Sequence, residues 1–272
     1  MDWIDALIMG IVQGLAEYLP ISSSGHLEIC NKILGLNLEN ETALSFDLTL
    51  HVATVLSTIV VLWREFLPLC TSFFTIRRDR DFWYVCKILV SCIPVAIVGL
   101  CFKDVVESFF GGQLNVVGSC LIVTAALLAF AYFFRTRAER DNGFSRPAGR
   151  EITWLDAFII GCAQAVAVLP GLSRSGTTIA TGIILGDRRD KVAQFSFLMV
   201  IIPILGEALL DVKGMLEGES TSVDFIPMMV GFIAAFVVGC LACKWMLEIV
   251  KRGKLVWFSV YCLIVGLVCI FW

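Results

Sequence analysis

Long apolar stretches separated by short polar ones run the length of the chain. Six of them, at about 44–64, 83–102, 114–134, 192–211, 225–245 and 254–272, approach the roughly 20 residues a helix needs to cross a bilayer. The regions 3–35 and 154–186 are built differently: an apolar run of about 17 residues, a Pro/Ser/Gly break, then a second apolar stretch of about 10. Neither piece spans comfortably alone. Helix, break and short return helix predict a re-entrant hairpin, which a membrane tolerates only where its backbone packs on protein or lines a wet cavity. The pattern therefore predicts an all-α integral membrane protein with six transmembrane helices and two re-entrant helical hairpins, forming one membrane domain.

The two hairpin regions are copies of each other, 151 residues apart. WIDALIMGIVQGLAEYLPISSSGH begins at Trp3 and WLDAFIIGCAQAVAVLPGLSRSGT at Trp154, and without a gap they share Asp5/Asp156, Gly10/Gly161, Gln13/Gln164, Ser22/Ser173, Ser24/Ser175 and Gly25/Gly176. Repeat 1 covers about 1–136 and repeat 2 about 152–272, with a cytoplasmic loop at about 136–151 between them. Three spans follow each hairpin. Basic residues gather at Arg64, Arg77, Arg78 and Arg80, around Arg140 and Arg146, at Arg188 and Arg189, and near Lys251; acidic ones gather around Glu39, Asp104 and Glu219. With the basic groups in the cytoplasm, the two halves run in opposite directions. Such an inverted-topology repeat puts a site near the bilayer midplane, where both polar loops meet.

Composition narrows the class further. With 58% hydrophobic and 17% charged residues, the chain is too apolar for a soluble domain and has no use for nucleic acid. The N-terminus carries no basic stretch before its apolar run, so no cleaved signal is expected. Most of the eleven cysteines lie in apolar runs and read as small hydrophobes, the Cys240/Cys243 pair included.

The copies differ where chemistry can be housed: Glu17, Ser23 and His26 in the first face Val168, Arg174 and Thr177 in the second. A carboxylate in an apolar segment costs a few kcal/mol, so Glu17 requires a partner or a task. Gln13, four residues earlier, shares its helix face. Ser22, Ser23, Ser24, Gly25 and His26 then open a short helix, whose N-terminal N–H groups and hydroxyls favour an anion, above all phosphate. Ser173, Arg174, Ser175, Gly176, Thr177 and Thr178 rebuild that device with an arginine fork suited to phosphate oxygens. His26 can move a proton at neutral pH. For His51, four residues after Asp47, a local pair is the simpler account. Glu28, Asp5 and Asp156 are nearer helix ends, where solvation or capping suffices. Two phosphate cradles, an arginine clamp, a hydroxyl, an imidazole and a carboxylate suit phosphoryl transfer on a phosphorylated lipid.

QGLAEYLPISSSGH (Gln13 to His26) and PGLSRSGTT (Pro170 to Thr178) resemble the two motifs of the undecaprenyl-diphosphate phosphatase family, also called bacitracin-resistance proteins, and the resemblance covers essentially the whole chain. It implies hydrolysis of a polyprenyl diphosphate, recycling the lipid carrier of peptidoglycan synthesis in the bacterial cytoplasmic (inner) membrane; the acidic loops and the first hairpin's outward opening favour a site opening to the outer face. The resemblance also implies an essential Glu17, a nucleophilic Ser23, an acid/base His26, a phosphate-binding Arg174, and phosphate contacts from Ser22, Ser173 and Thr178. Many members carry a second glutamate where Gln13 stands, which weakens schemes needing two carboxylates here. The family is thought to need Mg2+ or Ca2+; Glu17 is the candidate ligand, and the metal otherwise rides on the diphosphate. A homodimer is left open.

The expected mechanism has Arg174 and the two loop termini holding the diphosphate while Ser23 attacks the terminal phosphorus. Its proton travels through His26, with Glu17 orienting that ring, acting as base or holding the cation. Inverted repeats with broken helices are also a transporter architecture, so the rival reading is a flippase of the same phosphorylated lipid.

Overall fold

The structure is a computed structural model and describes residues 1–36, 40–102, 105, 109, 113–141, 149–216 and 224–272. Glu39, Asp104, Glu219 and residues 142–148 of the 136–151 connection, Arg146 included, lie outside the described residues, as does the side chain of Arg140. In chain order the helices are α1 (Trp3–Ala16), α2 (Ser23–Leu34), α3 (Asn40–Val61), α4 (Trp63–Phe74), α5 (Arg80–Cys101), α6 (Leu114–Asp141), α7 (Trp154–Val166), α8 (Arg174–Leu185), α9 (Arg189–Met199), α10 (Ile201–Leu216), α11 (Phe225–Lys251) and α12 (Val256–Phe271). Among the described residues no strand is formed; Arg150 and Asp187 make an isolated bridge.

Both hairpin copies start with the same cap. The Asp2 carboxylate accepts the Ile4 and Asp5 N–H groups while Asp5 accepts the Asp2 N–H, and Thr153 and Asp156 repeat the reciprocal arrangement at α7. Asp5 and Asp156 are thus accounted for by satisfying backbone donors that a helix start leaves open. Each first helix stops well short of a full crossing, and a second short helix follows the break.

Among the described residues four helical stretches are long and apolar enough to cross a membrane: Arg80–Cys101, Leu114–Phe134, Arg189–Leu210 and Phe225–Lys251. The 44–64 stretch differs from its expected single span. Ser45–Val61 turns by 92° at Leu62 into Trp63–Phe74, and the pair makes a fifth span only if counted together. Arg64 and Glu65 follow that corner directly, so the chain leaves its first axis where charge begins. Within the 192–211 stretch the helix is interrupted between α9 and α10. Pro203 has no N–H to give the Met199 carbonyl, and that oxygen instead faces Cys92 Sγ at 3.5 Å. The 254–272 stretch forms only the 16-residue α12, about 24 Å at 1.5 Å per residue.

Helix α1 lies against α11 and helix α7 against α5, so each hairpin packs on a helix of the other half, while α6 and α12 pack on each other. Glycine sets both hairpin contacts. A Cβ at Gly10 would stand 2.4 Å from the Gly231 carbonyl oxygen, and one at Gly161 would stand 2.3 Å from that of Ser91. No other residue permits this backbone approach.

Candidate active site

Helix α1 ends with Glu17 as its C-terminal cap, and the chain passes through Tyr18–Ser22 before α2 begins at Ser23. Ser22 holds φ 71° and ψ 100°, a sparsely populated backbone region for a residue with a side chain. Its Oγ accepts the Gly25 N–H at 3.2 Å, and this cap fixes Ser23 at the first position of α2. In the second copy the Ser173 Oγ accepts the Gly176 N–H at 3.0 Å, and Arg174 opens α8. The two breaks touch: Ser175 Oγ donates to the Leu19 carbonyl at 3.2 Å, and a Cβ on Gly25 would lie 3.0 Å from Gly171 Cα. The meeting of the polar loops expected from the sequence is present.

Glu17 is the centre of the cluster. Its Oε2 accepts the Ser23 hydroxyl at 2.7 Å and the Gln13 amide N–H at 3.2 Å, and His51 Nε2 stands 3.6 Å away. Arg174 Nη2 lies 3.7 Å from Oε1, an ion-pair distance too long for a hydrogen bond. Among the described residues the Arg174 guanidinium makes no hydrogen bond at all, although its side chain is only 29% exposed. A fork of N–H donors therefore faces a cavity with its bonding capacity unspent, beside a hydroxyl already turned towards a carboxylate.

His26 is placed differently from its expected role as Ser23's partner. Its Nδ1 lies 2.8 Å from the Ser22 carbonyl, which can only accept, so Nδ1 carries the proton. Nε2 is then the acceptor for the Tyr261 hydroxyl, also at 2.8 Å, and the two rings stack with centroids 5.7 Å apart. Among the described residues the ring reaches neither Ser23 nor Glu17. The histidine at the Glu17 carboxylate is His51, whose Nδ1 meets the Asp47 backbone carbonyl at 2.8 Å; the expected local pair uses the Asp47 backbone and leaves Nε2 facing Glu17.

The remaining loop hydroxyls are mostly committed within the fold. Ser22 and Ser173 cap helices, with Ser24 and Ser175 at 3.4 Å from them. Thr178, expected at phosphate, donates to the Arg174 carbonyl at 2.8 Å and pairs with Ser196 at 2.6 Å, so it braces Arg174 from behind. Thr177 Oγ1 is buried without a partner among the described residues. The same holds for Gln13 Oε1 and for both amide atoms of Gln164, Gln13's counterpart.

A narrow cavity opens beside Glu17 and Arg174, lined with Thr54, Thr58 and Ser196 on its polar side and Val55, Phe197 and Ile204 on its apolar side. Tyr18 borders it too, its hydroxyl bonded to the Thr54 carbonyl at 2.6 Å and in contact with Ser57 and Thr58 at 2.5 and 2.8 Å. These α3 residues were missed from sequence, although Thr54, Ser57 and Thr58 repeat hydroxyls at helical spacing in an apolar span.

Among the described residues no three Asp, Glu, His or Cys side chains come close enough to hold a metal ion. Among the described residues Glu17 is the one carboxylate lining the cavity, and its oxygens already face Arg174, Ser23, Gln13 and His51. Six to eight oxygen ligands for Ca2+ are not offered by these side chains, and Mg2+ would find one carboxylate, the rest of its octahedron falling to water and substrate phosphate. The described side chains do not fit a divalent cation held by protein ligands alone.

Comparison with known proteins agrees with these motifs. Residues 6–268 match the family described as Bacitracin resistance protein BacA. The chain is 54% identical over 272 residues to an undecaprenyl-diphosphatase of Bacteroides fragilis, covering 99% of this chain and 98% of that protein. It is 55% identical, with the same coverage, to one of Parabacteroides distasonis. A more distant relative of the same description, from Carboxydothermus hydrogenoformans, is 40% identical across 98% of this chain and 95% of its own length.

Proposed function

The chain belongs to the bacitracin resistance protein BacA family, and we propose that it hydrolyses undecaprenyl diphosphate to undecaprenyl phosphate and inorganic phosphate in the cavity between its two hairpins. This reaction recycles the lipid carrier for peptidoglycan synthesis and removes the diphosphate lipid that bacitracin targets. The observation that carries the reading is the Ser23–Glu17 hydrogen bond beside the uncommitted guanidinium of Arg174.

In the proposed reaction Arg174 and the N-terminal N–H groups of α2 and α8 hold the diphosphate. Ser23 Oγ attacks the terminal phosphorus as its proton passes to Glu17, and the bond from that phosphorus to the bridging oxygen breaks. Undecaprenyl phosphate leaves; water then cleaves the phosphoserine, inorganic phosphate departs, and Glu17 gives its proton back. Direct bonding favours Glu17 over His26 as the first proton acceptor. His26 acts in the second step, taking a proton from water once the Tyr261 hydroxyl moves off Nε2 and releasing it to solvent as inorganic phosphate departs. A Mg2+ or Ca2+ ion belongs in this scheme as a companion of the substrate diphosphate.

The same proposal includes the finer architecture: six spans, two re-entrant hairpins and inverted halves, with the site opening to the outer face of the bacterial cytoplasmic membrane. The reciprocal packing of α1 on α11 and α7 on α5 supports opposed halves, and the apolar wall of Val55, Phe197 and Ile204 suits a lipid tail. A flippase of the same lipid has no need of a hydroxyl held on a carboxylate. Phosphate release from long-chain polyprenyl diphosphate by purified protein in detergent, with Arg174→Ala beside it, is the test. Absence of release from folded wild type that binds the lipid would return the weight to transport.

A further inference from the structure

We infer that His51 is a positioning residue that fixes the Glu17 carboxylate on Ser23. This rests on the reading of Glu17 as Ser23's proton acceptor. Glu17 is the last residue of its helix turn before the break, where helical hydrogen bonds no longer restrain the chain. The restraint comes from α3. His51, Thr54 and Thr58 follow one another at spacings of three and four, which puts them along one face of that helix.

Thr54 and Thr58 grip Tyr18 through its hydroxyl, and His51 faces Glu17, the residue before it. The C-terminal cap of α1 and the first residue of the break are thereby held by a helix outside either repeat motif. The imidazole is itself held. Its Nδ1–H is given to the Asp47 carbonyl at 2.8 Å, which aims Nε2 at Glu17 Oε2, 3.6 Å away; the pair is an ion pair of the imidazolium, in which both ring nitrogens carry protons, with the carboxylate. Arg174 attends the other oxygen, so the carboxylate cannot rotate without losing a partner on one side. The orientation that accepts the Ser23 hydroxyl is selected. An amide N–H can do the same task, since Gln13 already donates one to Oε2.

The test compares His51→Phe, which keeps a ring without a donor, with His51→Gln in the phosphate-release assay. Positioning predicts that His51→Phe lowers kcat by about ten- to a hundredfold, the scale of a small misplacement of a reacting group, with KM changed less than about twofold. His51→Gln should recover most of that loss. Wild-type kcat in His51→Phe, or a loss carried by KM, would overturn the inference, as would a His51→Gln no better than His51→Phe. A second readout needs neither turnover nor the Phe variant. The chain has two histidines, so 15N-histidine spectra are assigned by His51→Gln alone. Glu17→Gln should move the His51 Nε2 signal and leave that of His26 in place; an unmoved His51 signal refutes the contact. Wild type without phosphate release, but with that signal shift, would reject the reaction and retain the positioning.

Discussion

The Ser23 hydroxyl donates to Glu17 Oε2 at 2.7 Å, across a break that only five residues, Tyr18 to Ser22, separate from a continuous helix. This bond makes Glu17 the immediate destination of the Ser23 proton. Glu17→Gln keeps the shape and removes the acceptor charge, so turnover should fall by about a hundred- to ten-thousandfold, the range spanned by acid–base groups. Ser23→Ala should fall at least as far. Rapid quench of the wild type should trap a phosphoserine that Ser23→Ala lacks. Full turnover in Ser23→Ala would hand the attack to water.

Arg174 stands at ion-pair distance from Glu17 with its N–H donors otherwise uncommitted. Arg174→Lys keeps the charge but loses the planar fork, and should lower kcat/KM by about ten- to a hundredfold; Arg174→Ala should lower it by about a thousandfold. Phosphate release across substrate concentrations measures both. Equal activities of the lysine and wild-type proteins would mean that charge alone is used.

Much of this site was legible in the duplicated motif, because each loop carries its own small residues, caps and polar groups in one short run. Glu17 and Arg174 stood out by being charged in apolar surroundings. The partners of those residues were not legible. Tyr18 reaches Thr58, 40 residues on, and His26 reaches Tyr261, 235 residues on; no local periodicity encodes such meetings. His51 was read against Asp47 because helical spacing reports neighbours along one helix and is silent about what another helix brings. The corner at Leu62 was likewise hidden, since hydropathy carries no direction, and so was the interruption between α9 and α10 within the 192–211 stretch.

Tyr261 occupies the nitrogen of His26 that the proposed second step requires. Tyr261→Phe keeps the stacked ring and removes the hydroxyl. Loss of one net hydrogen bond, about 1 kcal/mol, should leave the thermal midpoint nearly unchanged and alter turnover by less than about tenfold. His26→Ala should be much slower and should accumulate phosphoserine. A His26→Ala protein that turns over normally would confine the imidazole to ordering Ser22.

Glycine at the crossings of α1 with α11 and α7 with α5 places the two loops in register, so stability and site geometry are coupled there. A Cβ at Gly161 would lie 2.3 Å from the Ser91 carbonyl oxygen, while one at Gly206 would meet nothing within 4 Å. Both glycines sit in helices, where alanine is intrinsically better by about 1 kcal/mol. Gly206→Ala should therefore hold or raise the thermal midpoint in detergent. Gly161→Ala must push α7 off α5 and, at about 1–3 kcal/mol for an overpacked contact, should lower it. It should also slow phosphate release, because α7 carries the break that presents Arg174. Equal midpoints for the two variants would show that the crossing yields easily and that the loops are held together by their own contacts, chiefly Ser175 on the Leu19 carbonyl.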